Sequence, residues 1–231
     1  MALGCALWGA SKHGGISKVG DIFRCGPDYS NKQIETALGY SGFDFKTVEY
    51  PSLEAARFLE QDKIIGWFQG RSEYGPRALG HRSILGNPKS SEIKERINKS
   101  IKFREEFRPF APSVIEECTN EYFDLGILQA SPHMTVAVNV HQHKASEIPG
   151  VTHVNNTARV QTVSSASDPN YHALISEFGR LAGTPVVLNT SFNVRGQPIV
   201  ETPLDALGTF ASCGLDALFL GNYLVTKRKH V

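Results

Sequence analysis

The 231-residue chain has almost no charge imbalance: 24 Lys and Arg stand against 23 Asp and Glu, a formal net charge of +1. That balance argues against an extended nucleic-acid surface, which needs a pronounced basic excess. Any strong anion site must therefore come from a local concentration of Arg and Lys. Cysteine is sparse. Cys5, Cys25, Cys118 and Cys213 lie far apart with no CxxC spacing, which excludes a zinc-ribbon pattern and a disulfide framework. Reduced thiols of this kind fit a cytoplasmic protein. No uninterrupted apolar run is long enough to cross a bilayer, and the opening MALGCALWGA lacks the basic region of a signal peptide. Internal repeats and low-complexity tracts are also missing.

What is present is ordinary globular usage, 41% hydrophobic and 20% charged, enough for a sizeable core. Residues 1–22 read as a helix fragment and a loop, a linker or the remnant of a preceding domain, with one domain over 23–231. Within that domain Leu53 to Asp62 has helical spacing, and Ile64 to Phe68 suits a buried strand. Ser90 or Ser91 is placed to cap a helix with Ile93, Ile97 and Ile101 on one face. Met134, Val136, Val138 and Val140 alternate with polar or small residues, as in a half-buried strand. Asp168-Pro169 opens a helix with an apolar stripe at Tyr171, Leu174, Ile175, Phe178 and Leu181, closed by Gly183. Pro185 to Asn189 is the next strand. Thr202-Pro203, with Asp205 at the capping-box position, starts another helix ending at Gly214. A final strand is expected over Ala217 to Thr226. Interleaved strands and helices make the class α/β with a mixed sheet.

Four clusters carry chemistry. Gly70 to Ser83 sets Arg71, Arg77 and Arg82 among glycines. There backbone can approach a ligand closely, and a planar guanidinium fork matches phosphate or carboxylate oxygens. Its alternative is a structural turn with internal Arg–carboxylate pairs involving Glu73. In Lys102 to Pro112 the alternation, read as a strand, puts Lys102, Arg104, Glu106 and Arg108 on one face, a positive surface for an anion or a merely solvated one. Thr157-Ala158-Arg159 forms the third cluster. Asn189, Ser191 and Asn193 lead the fourth, where small polar groups suit phosphate, ribose or a carbamoyl amide. The pair His141-x-His143 has no third ligand nearby and reads as a solvated turn.

Taken together, GRSEYGPRALGHRSIL, INKSIKFREEFRPFAPSV, VTHVNNTARVQTV and VVLNTSFNVRGQPIVETPLDAL resemble the C-terminal, YrdC-like domain of the O-carbamoyltransferase family of nodulation and antibiotic-tailoring enzymes. The likeness covers nearly the whole chain from about Gly20. It implies a twisted, open mixed α/β sheet with flanking helices over a positively lined cavity. It further implies binding of carbamoyl phosphate and of ATP with Mg²⁺, and formation of carbamoyl-adenylate and pyrophosphate. Arg77, Lys102, Arg108, Arg159 and Ser191 match the positions at carbamoyl phosphate. Arg104 and Asn193 support that site or the nucleotide phosphates, and Arg71, Arg82 and Asn189 are further binding candidates. No structural metal, membrane or nucleic acid is implied. Transfer to an acceptor hydroxyl would fall to an actin-like-ATPase-type N-terminal domain, whose His-rich metal motif has no counterpart in this sequence. The chain is thus expected to be a fragment or a solitary domain. A non-catalytic module sensing carbamoyl phosphate or a nucleotide is the alternative. One departure stands out: Asn155-Asn156 occupies the place where the family pattern has Asp-Gly.

Overall fold

The computed structural model describes residues 2–15 and 23–228. Helix α1 spans Ala2–Lys12, while residues 16–22 of the expected linker lie outside the described residues. The chain continues through α2 (Asn31–Ser41), β1 (Asp44–Thr47), α3 (Pro51–Glu60), β2 (Ile65–Phe68), β3 (Arg82–Gly86), α4 (Ile93–Ile97) and β4 (Ala111–Ile115). Short elements follow: α5 (Thr119–Tyr122), β5 (Phe123–Asp124), β6 (Val138–Val140), α6 (Gln142–Ala145), β7 (Thr157–Ala158) and β8 (Gln161–Val163). The last are α7 (Pro169–Ala182), β9 (Val186–Ser191), α8 (Pro203–Ser212), β10 (Ala217–Leu220) and β11 (Tyr223–Thr226).

Eight strands form one mixed sheet in the order β1-β11-β10-β2-β3-β9-β4-β8, and β5-β6-β7 form a small antiparallel sheet. Within the large sheet β10/β2 and β4/β8 are parallel, and the other neighbours are antiparallel. The period of two in each strand feeds two separate cores. Ile65, Trp67, Val187 and Phe219 pack with Ala55 and Leu59 of α3 and Leu174, Ile175 and Phe178 of α7. Phe68, Ile84, Leu188 and Leu218 pack on the other face with Leu38 of α2, Phe210 of α8 and Ile97 of α4. Helices covering both faces explain why these strands read as continuous apolar runs.

The helix ends follow their capping chemistry. Asp168 accepts from the Tyr171 backbone N–H to start α7, and Gly183 closes it at φ 75°. Thr202 and Asp205 form the expected reciprocal capping box of α8. A second box, Ser30 with Gln33, opens α2.

Four local expectations are corrected. Glu92, not Ser90 or Ser91, stands at the N-cap of α4 and makes no side-chain cap bond. The Ile93, Ile97 and Ile101 stripe is nonetheless fully buried, each side chain contributing about 1.5–3 kcal/mol. It runs on into a π-helical turn, Asn98–Lys102. The stretch from Lys102 to Arg108 is not a strand, because Phe103 turns left-handed at φ 47° and ends any extended alternation. Of the strand expected over Met134 to Val140 only Val138–Val140 pairs, although burial alternates as anticipated. The expected final strand is a hairpin: Gly221, at φ 55°, folds β11 back antiparallel on β10.

Candidate functional site

The turn between β2 and β3 is built around one carboxylate. Glu73 Oε1 accepts the backbone N–H groups of Leu79 (2.7 Å), His81 (2.7 Å) and Arg82 (3.2 Å). Its hydrogen bonds therefore build the turn itself, and its charge is the leading counter-charge to buried Arg82 in the same turn, although no close ion pair joins them among the described residues. Gly80 completes the bend at φ 107°, where a Cβ would lie 2.3 Å from Tyr171 Cδ1. Below it sits a buried polar network. The Asn189 amide donates to Ala78 O (3.2 Å), Ser113 Oγ (3.1 Å) and Gln161 Oε1 (3.0 Å), and Gln161 Nε2 donates to Leu79 O (2.7 Å). This ties Ala78-Leu79 to β4, β8 and β9, and so fixes Arg77 at the edge of the sheet.

The second wall is organised by buried Asn98. Its amide donates to Glu106 O and Arg108 O, both at 3.2 Å, and its Oδ1 accepts from Arg104 Nε at 2.7 Å. The Arg104 guanidinium also lies over the Phe110 ring, 4.9 Å from its centroid. Lys102 turns the other way. Its Nζ donates to Ser191 O, to Asn193 O (3.0 Å) and to Asn193 Oδ1 (2.8 Å). Ser191 Oγ donates to the same Asn193 oxygen at 2.7 Å. Lys102 thus positions the Ser191-x-Asn193 loop.

The third wall carries Arg159, between β7 and β8. The turn before it answers the Asn155-Asn156 departure. Asn156 takes the left-handed conformation at φ 57°, which Asn tolerates better than most residues, and its amide donates to Val140 O at 2.7 Å. Nearby, His153 Nδ1 lies 3.1 Å from Thr157 Oγ1.

These walls enclose a cavity of about 270 Å³. Arg77, Arg104, Arg108 and Arg159 line it with Ser191 and His153, and no Asp or Glu is among the lining residues. The titration shifts reflect crowded cations, which Glu105, 3.9 Å from Arg108, offsets only in part. Partial desolvation and then Arg159 lower the Arg77 pKa, although its side chain stays largely open to solvent, while burial and then Arg108 lower that of Arg104. Burial, then Lys94 and Arg159, lower His153. Burial, with Arg104, brings Lys102 down to about 7. Cations held against one another in this way call for an anion.

Two further clefts meet the first at Ser191. One, of about 270 Å³, is lined by Lys102, Arg104, Arg108 and Arg195 with Glu105. The other, of about 390 Å³, is lined by Glu73, Arg82, Asn193 and Glu201.

Of the residues expected from sequence, Arg77, Arg104, Arg108, Arg159, Asn189 and Ser191 share the first cavity, and Lys102 and Asn193 border the clefts beside it. Arg82 is fully buried. Its Nη1 donates to the carbonyls of Gln69 and Gly70 at 3.0 Å, and its guanidinium stacks 3.5 Å from the Phe68 ring centroid. Arg71 is exposed, donates to Cys25 O at 3.3 Å, and lies outside these cavities. The sequence reading missed His153, Thr190, Arg195 and Met134 as lining residues. The first three lie inside the four motifs and were within reach, whereas Met134 carried no signal beyond its apolar alternation.

Among the described residues no group of three or more His, Cys, Asp or Glu is placed to hold a metal ion, and the His141 and His143 rings stack at 5.7 Å. No helix among them is long and apolar enough to cross a membrane.

A family model described as "Carbamoyltransferase C-terminus" matches residues 56–227. Nodulation protein NolO of Bradyrhizobium diazoefficiens is 42% identical over 98% of this chain and 42% of its own length. The 3'-hydroxymethylcephem-O-carbamoyltransferase of Amycolatopsis lactamdurans is 34% identical over 79% of this chain and 36% of its own length. The chain thus spans about two fifths of the curated relatives it matches. Among solved structures, full-length HypF in its phosphate- and nucleotide-bound form superposes with TM-score 0.54 at 16% identity. It covers 80% of this chain and 23% of that one, a likeness of fold. The fold is the YrdC-like mixed α/β class that the motifs implied.

Proposed function

The chain belongs to the carbamoyltransferase C-terminus family, and from that premise we propose that its arginine-lined cavity binds carbamoyl phosphate and ATP and forms carbamoyl-adenylate. The observation that carries this reading is the convergence of Arg77, Arg104, Arg108 and Arg159 on one cavity with no lining carboxylate. Such a site suits two phosphorylated substrates held side by side and disfavours neutral or cationic ligands.

The chemistry has two steps. Water cleaves carbamoyl phosphate to carbamate and phosphate. A carbamate oxygen then attacks the α-phosphorus of ATP, and the bond from that phosphorus to the bridging oxygen breaks to release pyrophosphate. Both steps build charge on phosphoryl oxygens, and fixed guanidinium groups aimed at that charge lower the barrier. Arg77, Arg108 and Arg159 are assigned to the carbamoyl phosphate oxygens, with Ser191 Oγ as a further donor. Arg104 reaches the nucleotide phosphates. Lys102 holds the Ser191-x-Asn193 loop in register. Mg²⁺ would arrive bound to the ATP phosphates, since the cavity lining offers it no carboxylate. The steps require no cysteine nucleophile. The carbamoyl group would pass to an acceptor hydroxyl on a partner domain of the actin-like-ATPase type, and a cytoplasmic location suits both substrates.

The test is pyrophosphate release from Mg-ATP with and without carbamoyl phosphate. Release that depends on carbamoyl phosphate is the expected result. Tight binding of carbamoyl phosphate with no pyrophosphate would replace the enzyme with a binding module.

A further inference from the structure

A cavity of guanidinium groups holds anions well, but Arg77, Arg104, Arg108 and Arg159 donate only and cannot take up a proton. Among the described residues that line it, His153 alone carries a basic nitrogen that titrates near neutrality. Its tautomer follows from its hydrogen bonds. The Thr157 hydroxyl donates its proton to Asn155 Oδ1 at 2.7 Å. It therefore turns a lone pair to His153 Nδ1, 3.1 Å away, and Nδ1 must carry the ring hydrogen. The lone pair is left on Nε2, which has no protein partner among the described residues. The backbone is pinned as well: His153 N–H donates to Thr157 O at 2.8 Å, and Asn156 N–H donates to His153 O at 3.0 Å. The charges that face the ring are all positive. They are Lys94 of α4 and Arg159 between β7 and β8, with Arg77 and Arg108 on the same cavity. Burial first, then Lys94 and Arg159, lower the His153 pKa, so the imidazole is neutral at pH 7.

We propose that His153 is the general base of carbamoyl phosphate cleavage, its Nε2 taking a proton from the attacking water; the proposal rests on the function inferred above. The water oxygen bonds to the carbamoyl carbon. The bond from that carbon to the bridging oxygen breaks, and phosphate leaves with the electron pair. One water proton goes to Nε2 and the other is lost from the carbamic acid, so carbamate remains for attack on the nucleotide. The proton on Nε2 then passes to the released phosphate or to solvent. The arginines serve this step twice, by stabilising the departing phosphate and by keeping the imidazole unprotonated until it acts. A carboxylate in the same place would pair with the arginines and compete with the substrate, which a neutral imidazole does not.

The experiment follows phosphate release from carbamoyl phosphate by the full chain with Mg-ATP from pH 5 to 9, above the spontaneous background, beside calorimetry of carbamoyl phosphate binding. Wild-type turnover should fall on the acid side through one ionisation below pH 6.5, the ordinary histidine value. His153→Ala should keep its affinity for carbamoyl phosphate and release phosphate about 10²- to 10⁴-fold more slowly. Its profile should lack the acid limb, and added imidazole should restore part of the rate. His153→Gln, which fills the space without accepting a proton, should be as slow and gain nothing from imidazole. Wild-type turnover in either variant overturns the assignment, and so does an acid limb that persists in both. Affinity and turnover lost together, without imidazole rescue, would overturn it too and leave His153 a binding role. Full pyrophosphate release by wild type and by His153→Gln strikes the base alone. A wild-type chain that releases neither phosphate nor pyrophosphate removes the base together with the activating reaction.

Discussion

The Lys102 ammonium lies 2.8 Å from Asn193 Oδ1 and 3.0 Å from the Asn193 carbonyl, holding together segments 91 residues apart. The side chain is 4% exposed, and burial with Arg104 brings its pKa from 10.5 to about 7. The folded state therefore binds fewer protons than the unfolded chain between about pH 7 and 10.5, and linkage makes this group's contribution to stability rise with pH across that window. Its cost is fully present below about pH 7. Urea unfolding from pH 6 to 9 should show wild type gaining on Lys102→Met as pH rises. Parallel profiles would mean that the lysine stays charged in the fold.

A bound anion changes that balance. Phosphate oxygens near Lys102 favour its charged form, so binding of carbamoyl phosphate at pH 8 should draw a proton from solution. Calorimetry in buffers of different ionisation enthalpy measures this directly. No proton uptake, or uptake that survives in Lys102→Met, would remove Lys102 from the site's electrostatics.

Arg159→Ala should weaken carbamoyl phosphate binding by about 10- to 150-fold, from loss of a charge-assisted bond worth roughly 1.5–3 kcal/mol. Because Arg159 lowers the Arg77 pKa, the two guanidinium groups repel in the unliganded protein. Removing one relieves the other, so the melting temperature should hold or rise. A large fall in melting temperature would assign Arg159 to the fold.

Gly80→Ala should destabilise the protein by about 2–4 kcal/mol, through left-handed strain and the 2.3 Å approach to the Tyr171 ring. Thermal unfolding checks it. A Tyr171→Leu partner that restores part of the loss would locate the clash, whereas an unchanged deficit would place the whole cost in the backbone.

These residues also show what a sequence reveals and what it withholds. Asp168 with Gly183, and Thr202 with Asp205, were legible because capping is local chemistry within a few positions. Strand β2 was legible because both its faces are buried. Strand β1 was not, since all four of its residues are exposed and leave no apolar pattern. The Lys102 to Arg108 alternation misled because one left-handed residue, Phe103, and one buried amide, Asn98, bonded to Arg104, Glu106 and Arg108, fold the segment into a compact turn that periodicity does not register. The arginines divide in the same way. Arg82 belongs to the motif as fully as Arg77, but its place on β3 turns it inward onto Phe68, and only the sheet register decides that. The clustering of arginines was readable; that Arg82 would be fully buried at the edge of the 390 Å³ cleft while Arg77 opens onto the arginine-lined cavity was not.

The most demanding test is Arg77→Lys. Lys keeps the charge, so a site that needs only positive potential should keep most of its activity. Arg77, however, stands between Pro76 and Ala78 in a turn tied down by Glu73 and by the Asn189 network, with no acidic residue lining its cavity. No ion pair joins Glu73 to Arg77 among the described residues, and Glu73 does not line the Arg77 cavity. A guanidinium fork holds two oxygens at once, whereas an ammonium is a compact point charge with different reach. Losing one of two such bonds in the transition state should cost roughly 1.5–3 kcal/mol, or about ten- to a hundredfold in pyrophosphate release. Circular dichroism of the variant should match wild type, because Arg77 is exposed and the turn's bonds come from other residues. Turnover near wild type would show that Arg77 supplies potential alone, and would pass the bidentate role to Arg108 or Arg159.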